Sequence, residues 1–432
     1  MPFLCNIKES AIVRSILVLV GGTAGAQAVT FLLSPIITRL YTPEALGIFG
    51  SFIAIVAVLL PIAAFSLPIA IVLPEKNEEA RKIAKLATFI SVFFSIALAI
   101  FFIIFKSQLA VFFKTNEDSS LLLILLISLA VLLGTILAIC SQWLIRNKLF
   151  MISAKTMMLH SIISNTLKVI IGLLSPTGKA LIILNVFGTL LHSILLIAFV
   201  KKNKKNGAAA IPIGAYFDVK LLKKYKAFVV YRGPQGVLAN INQNIPIILL
   251  ASFYSPAVTG IYVLCRTVLI LPITLIAKSV NDVIYPQINK AYLQYKPIVP
   301  LLKSTTMGLA VLALPPLLLF IITGPQLFAF VFGENWQQSG EFSQWLTIWF
   351  YFNFINRACV AAIPVLKLEA FLLGNSILNF LLSILGFFLG NFLFSEEIYA
   401  IALYSLLGII PQVFLIIYVF ISALKHDRLL GE

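Results

Sequence analysis

Apolar stretches of roughly twenty residues or more recur along the whole chain, broken by short polar segments that carry most of the charge. An α-helix rises about 1.5 Å per residue, so about 20 apolar residues cross a hydrocarbon layer of about 30 Å. On that criterion the pattern predicts spans at 11–37, 46–73, 86–105, 121–145, 152–174 and 180–200. Six more follow at 228–252, 257–284, 301–322, 342–366, 371–394 and 398–424. The expected fold is an all-α integral membrane protein of about 12 transmembrane helices. The first stretch has some features of a secretory signal, with Arg14 ahead of an apolar run and alanines at Ala26 and Ala28. The apolar sequence continues through Phe31-Leu32-Leu33, however, and is long enough to span.

Between residues 200 and 226 the chain turns basic, with Lys201, Lys202, Lys204, Lys205, Lys220, Lys223 and Lys224. This linker, 201–225, separates an expected six-helix lobe at 1–200 from a second at 226–432. Lys and Arg are distributed asymmetrically. If the N-terminus is cytoplasmic, that side carries Lys76, Arg81, Lys82, Lys85, Arg146, Lys148, Lys155, the linker, Lys226, Lys290, Lys296, Lys303, Lys367, Lys425 and Arg428. The opposite side has only Arg39, Lys106, Lys114 and Lys179. The positive-inside rule then places both termini and the linker in the cytoplasm. The linker lysines are read as solvated charge without chemistry of their own.

The halves echo one another. Tyr41-Thr42-Pro43-Glu44-Ala45-Leu46-Gly47-Ile48-Phe49 matches Tyr254-Ser255-Pro256-Ala257-Val258-Thr259-Gly260-Ile261-Tyr262, Gln108-Leu109 echoes Gln326-Leu327, and Asn165 and Gly172 are spaced like Asn379 and Gly386. An even number of spans per half gives both the same orientation, which implies a parallel repeat about an axis normal to the membrane.

Composition agrees. Hydrophobic residues make up 60% and charged residues 11%, with a mean hydropathy of +1.04. Soluble domains carry about 25% charged residues. The net charge of +16 would suggest nucleic acid in a soluble protein. Here the basic loops account for it, and no nucleic-acid partner is expected. Cys5, Cys140, Cys265 and Cys359 show neither CxxC nor Cys/His spacing, so no disulfide framework, metal or other cofactor is expected.

Several blocks carry a resemblance. They are Gly22 through Gln27, Pro35, Thr38-Arg39-Leu40-Tyr41-Thr42-Pro43-Glu44-x-x-Gly47, Arg232-x-Pro234 through Asn240, Tyr254 with Gly260-x-Tyr262, Leu271-Pro272 up to Tyr285-Pro286, and Phe332-Gly333-Glu334-x-Trp336. In this order they resemble the O-antigen and polysaccharide-unit flippases of the multidrug/oligosaccharidyl-lipid/polysaccharide exporter superfamily. The resemblance implies a V-shaped, two-lobed helical bundle that works by alternating access in the bacterial inner membrane. It implies movement of an undecaprenyl-diphosphate-linked oligosaccharide, an O-antigen, capsule or exopolysaccharide repeat unit, from the cytoplasmic to the periplasmic leaflet. Membrane lipids and other polysaccharide-assembly proteins are the further partners it suggests, and no enzymatic activity is expected. The alternatives are a drug or small-cation exporter of the same fold and a membrane polysaccharide polymerase. The first and seventh spans contain no acidic residue for carboxylate-based cation coupling. The outer loops, 39–45, 106–120, 175–179, 252–255, 323–341 and 395–397, are too short for a catalytic pocket.

A lipid-diphosphate sugar calls for cations at its phosphates, amides at its hydroxyls and aromatic faces at its rings. Lys168, Arg266, Lys278 and Arg357 fall within predicted spans, and Arg14 and Arg232 lie near the starts of theirs. A central Arg or Lys costs roughly 2.5–3.5 kcal/mol on insertion scales, so each should face a cavity or partner or else snorkel to the interface. Asp282 is the main acidic candidate in the spans. These six cations are expected to line a central cationic cavity, with Gln27, Asn240, Gln243, Asn165, Trp349, Asn353 and Asn379 as candidate sugar contacts. Polar stripes support a cleft: the small run Gly21 to Ala28 with Gln27; Gly233, Gly236, Asn240 and Gln243; His160, Ser164 and Lys168; Asn375, Asn379 and Ser383; Trp345, Trp349, Asn353 and Asn356-Arg357. Each stripe reads equally as packing between helices. Trp345 also reads as part of an interfacial belt, and His160 and His192 as packing residues rather than a proton relay.

Overall fold

The structure is a computed structural model that describes residues 11–114, 117–202, 210–226 and 228–429; the side chains of 11–20, 117–119, 231, 272, 275–279, 281–282 and 429 are not among those described. Long apolar helices dominate, and among the described residues nine are long and apolar enough to cross a membrane. The chain is a multi-pass membrane protein. Its contacts sort into two compact units, Met1–Gly260 and Ile261–Glu432.

The first unit contains α1 (Ala11–Leu40), α2 (Pro43–Ala63), the short α3 (Leu67–Ala70), α4 (Asn77–Ile104), α5 (Lys106–Phe113), α6 (Glu117–Arg146), α7 (Phe150–Leu174), α8 (Gly178–Lys202), α9 (Val219–Lys224), a π-helical turn Phe228–Arg232, α10 (Gly233–Phe253) and the start of α11 (Pro256–Leu293). Its core joins Phe52 of α2, Phe113 of α5, Leu123, Ile127 and Val131 of α6, and Ile182 of α8. The expected outer loop 106–120 therefore includes a helix. Leu109, Ala110 and Phe113 form a buried apolar face on α5 that a hydropathy window of span length averages away.

The second predicted span is not continuous. The helix stops at Ala63, and Phe65 and Ser66 take left-handed φ values of 49° and 56° before α3. Pro61 and Pro68 flank the break, and each removes a backbone donor. The following turn is held by Arg146 at the end of α6, which donates to the carbonyls of Ile71 at 3.1 Å, Pro74 at 2.6 Å and Glu75 at 3.2 Å.

The described part of the linker is docked rather than simply solvated. Asp218 caps α9 through the Lys220 and Leu221 amides at 2.8 and 3.4 Å. Leu221 is buried in a cluster with Ile83 and Leu86 of α4 and Ile139 and Trp143 of α6, and Phe217 packs on Phe89. Lys224 pairs with Glu79, which also accepts from the Tyr225 hydroxyl at 3.0 Å. Partial burial and the Glu79 carboxylate push the Tyr225 phenol up to about 12, so it remains a donor across the ordinary pH range. The signal for docking is Ile211, Ile213, Phe217, Leu221 and Leu222 interleaved with the lysines.

The second unit contains the rest of α11, then α12 (Val299–Phe332), a 3-10 turn Glu334–Trp336, α13 (Gln337–Ile355), α14 (Arg357–Ala362), α15 (Glu369–Phe394) and α16 (Glu397–Leu429). The expected loop 323–341 is mostly helix. Gly324 and Pro325, at the start of that expected loop, lie within α12, and Gly324 lets another backbone approach: a methyl on it would lie 2.7 Å from the Gly340 carbonyl oxygen of α13. Asp427 near the end of α16 caps the start of α12, accepting from the Ile298 and Val299 amides at 2.8 and 2.9 Å. The tenth predicted span divides at Asn356, between α13 and α14.

Candidate functional site

In the first unit a polar seam joins α1 to α7. Ser161 donates to the Ala26 carbonyl at 2.8 Å, Asn165 Nδ2 donates to Thr30 Oγ1 at 3.0 Å, and the Tyr41 hydroxyl donates to the Lys168 carbonyl at 2.9 Å. Asn165 is thus buried between helices, with Oδ1 left without a hydrogen-bond partner. Gln27, on α1, likewise has an enclosed Oε1 without a partner.

Deeper along α7, Lys168 Nζ lies 5.5 Å from the Phe49 ring centroid of α2, within cation–π range. One and two turns back, Ser164 Oγ and His160 Nε2 are 3.0 Å apart, and the His160 ring stacks on His192 of α8 at 4.7 Å and 12°. Sequence spacing places His160, Ser164 and Lys168 on one face; only the fold reveals that His192 joins them. The seventh-span stripe is in part internal to its helix: Asn240 Nδ2 donates to the Gly236 carbonyl at 2.9 Å, while Gln243 is exposed. Arg232 is exposed and donates to Gln235 Oε1 at 3.0 Å.

In the second unit polar residues of α13, α14, α15 and α16 come together. Arg357 donates from Nε to the Asn353 carbonyl at 3.2 Å and from Nη2 to Asn353 Oδ1. The adjacent Asn356, 3% exposed, donates to Gln412 Oε1, and Gln412 Nε2 donates to Asn379 Oδ1 at 3.3 Å. Gln412 was not among the sequence candidates; its signal is a lone amide in the apolar span 398–424. Trp349, one turn before Asn353, packs near Tyr404 at 6.2 Å between ring centroids. Arg266 of α11 interacts electrostatically with the Tyr262 and Tyr404 phenols. The side chains of Arg14, Lys278 and Asp282 lie outside the described residues.

Two properties distinguish this arrangement. Among the described residues, neither Lys168 nor Arg357 has a carboxylate within ion-pair distance. Several buried polar atoms in the two polar clusters also lack a hydrogen-bond partner among the described residues: Trp349 Nε1, Asn356 Oδ1 and Asn375 Oδ1 in the second unit, besides those of Gln27 and Asn165. Buried groups of this kind are usually satisfied, so the positions retain hydrogen-bonding capacity for something else.

The fold is shared with solved transporters. It matches the lipid II flippase MurJ in an inward closed conformation with a TM-score of 0.73, at 16% identity over 95% of this chain and 90% of that one. It matches an inward-facing multidrug resistance MATE family transporter of the MOP superfamily at 0.68, with 12% identity over 94% and 95%. A MOP superfamily transporter from Pyrococcus furiosus, whose binding pocket is described as reversed in polarity, gives 0.60 at 14% identity over 97% and 96%. These proteins are transporters rather than enzymes. No curated protein matches by sequence. The sequence profile of the polysaccharide biosynthesis protein family matches residues 36–341, well over half the chain, and the chain belongs to that family.

Proposed function

We propose that this protein is a flippase that carries an undecaprenyl-diphosphate-linked oligosaccharide from the cytoplasmic to the periplasmic leaflet of the bacterial inner membrane. The observation that carries the reading is Arg357, a guanidinium within an apolar bundle whose described partner is an amide, Asn353, rather than a carboxylate. A cation in such surroundings favours an anionic ligand, and the planar guanidinium suits phosphate oxygens. Lys168 offers a second half-buried positive charge. Arg14, Arg232, Arg266 and Lys278 complete the proposed cationic set, and Gln27, Asn165, Asn240, Gln243, Trp349, Asn353 and Asn379 the proposed sugar contacts. The halves 1–200 and 226–432 alternate in access, joined by the linker 201–225, with both termini cytoplasmic. A drug-exporter reading lacks its chemistry, since α1 and α10 carry no acidic residue.

The test is transport itself. In proteoliposomes, a fluorescent lipid-linked oligosaccharide should become accessible to an impermeant quencher only when the protein is present. Unchanged protection of that lipid, with active efflux of a cationic dye by the same vesicles, would replace this reading with the exporter.

A further inference from the structure

An apolar slot runs between α11, α12 and α13 of the second unit. Leu269, Ile273, Pro316, Phe320, Phe350 and Phe354 are among its lining residues, around a cavity of about 90 Å³ that continues into open space. On the α12 side Leu312 is 56% exposed, so the slot opens outward from the bundle, where lipid would lie. We propose that this slot holds the first isoprene units of the transported lipid while Arg357 holds its diphosphate. The proposal rests on the flippase reading and adds to it the place of the tail.

The order of chemistry along the helices supports it. Phe350 and Phe354 of α13 line the slot, and Arg357 follows Phe354 by three residues, just across the break at Asn356. Arg357 folds back on Asn353, which engages two of its roughly five N–H donors and leaves the rest for an anion. Beyond the cation come the amides Asn356, Gln412 and Asn379. Phe354 of the slot wall, Arg357 and Asn356 at the head of the amide chain thus lie within about one turn of chain, which brings together the three chemistries of tail, diphosphate and sugar. A bilayer phospholipid satisfies the first two and brings at most a small headgroup, not an oligosaccharide, to the third. The aromatic walls present flat faces to the methyl-branched, unsaturated chain of a polyprenyl group.

The experiment uses the full chain in nanodiscs of phosphatidylethanolamine and phosphatidylglycerol, with a benzophenone-bearing polyprenyl diphosphate as probe and inorganic diphosphate as headgroup control. Photocrosslinks should fall on α11, α12 and α13. Ala313→Trp and Leu317→Trp each fill the slot from α12 and should weaken the probe about tenfold, while inorganic diphosphate binds as before. Probe affinity within about twofold of the parent in both variants would overturn the slot and leave the flippase reading standing. A steady fall in probe crosslinking as the phosphatidylglycerol share of the nanodisc is raised would also overturn it, making the slot a general lipid site. A parent protein that binds inorganic diphosphate but no polyprenyl diphosphate would overturn the flippase reading and the slot with it.

Discussion

Gly47 and Gly260 lie against each other's helix starts: a methyl on Gly47 would sit 1.6 Å from the Pro256 carbonyl oxygen, and one on Gly260 would sit 1.8 Å from that of Pro43. The contact is reciprocal, and both helices begin alike. Thr42 Oγ1 accepts from the Ala45 amide at 3.3 Å and Ser255 Oγ from the Val258 amide at 3.2 Å, each just ahead of a proline. The obstruction is backbone, with no flexible side chain to move aside. Gly47→Ala and Gly260→Ala should therefore each destabilise the protein by about 1–3 kcal/mol or force the helices apart. A thermal melt in detergent measures this; an unchanged Tm in both variants would mean that the close approach does not exist.

The same crossing makes a test of alternating access. Cysteines replacing Thr42 and Ser255 should be joined by a short bis-thiol reagent, with transport stopping in the joined protein and unaffected when only one cysteine is present. Transport at the normal rate with both cysteines joined would mean that these helix starts do not separate during the cycle.

Arg357→Gln should abolish or strongly impair export while the protein stays in the membrane at its usual level. A charge-assisted hydrogen bond is worth about 1.5–3 kcal/mol, equivalent to roughly a tenfold to hundredfold loss of affinity. Arg357→Lys keeps the charge and loses the planar fork, so it should retain partial function. Arg266→Gln should behave as Arg357→Gln does. Surface polysaccharide, measured beside an immunoblot of the membrane fraction, decides; normal polysaccharide in both Gln variants would remove these cations from the mechanism.

The docked linker predicts a difference between its contacts. Leu221→Ala removes a buried side chain and should loosen the segment by about 2–3 kcal/mol, exposing Lys223 and Lys224 to trypsin much sooner. Glu79→Gln removes only the partly exposed ion pair with Lys224, leaves both cleavage sites in place and should change the digestion rate little, since such pairs are worth about 0–1 kcal/mol. Equal digestion rates in Leu221→Ala and the parent would show that the segment is not held by its apolar side.

Topology has a separate check. A phosphatase reporter that works only in the periplasm, fused after Lys202, should be inactive, and the same reporter fused after Lys179 in a truncated chain should be active. The reverse pattern would invert the orientation drawn from the Lys and Arg asymmetry.

The long helices were legible because a run of apolar residues in a helix has few alternatives in lipid. The match of Tyr41-Thr42-Pro43 with Tyr254-Ser255-Pro256 was legible as well, since Pro and an oxygen-bearing cap mark a helix start at sequence level. The breaks were harder. Phe65, Ser66 and Asn356 sit in stretches apolar enough to read as spans, and what interrupts the helix there is backbone geometry. The opposite error at Gly324-Pro325 has the same root, because a glycine that ends one helix elsewhere serves close packing here. For the candidate site, periodicity put Asn165 and Asn379 on polar faces but could not say what those faces meet. Asn165 turned out to contact Thr30 and Ser161, and Asn379 to contact Gln412, a partner more than thirty residues away.

The docked linker also decides how this chain could be divided into two genes. Leu221 and Tyr225 follow the basic run in sequence, yet their contacts are with Ile83, Trp143 and Glu79, which precede it. A cut placed before Ala210 would hand that segment to the downstream fragment and oblige it to recapture its seat on the upstream one. A cut placed after Lys226 would leave the seat and its occupant on one polypeptide, and the upstream fragment made that way should be the better survivor when expressed alone.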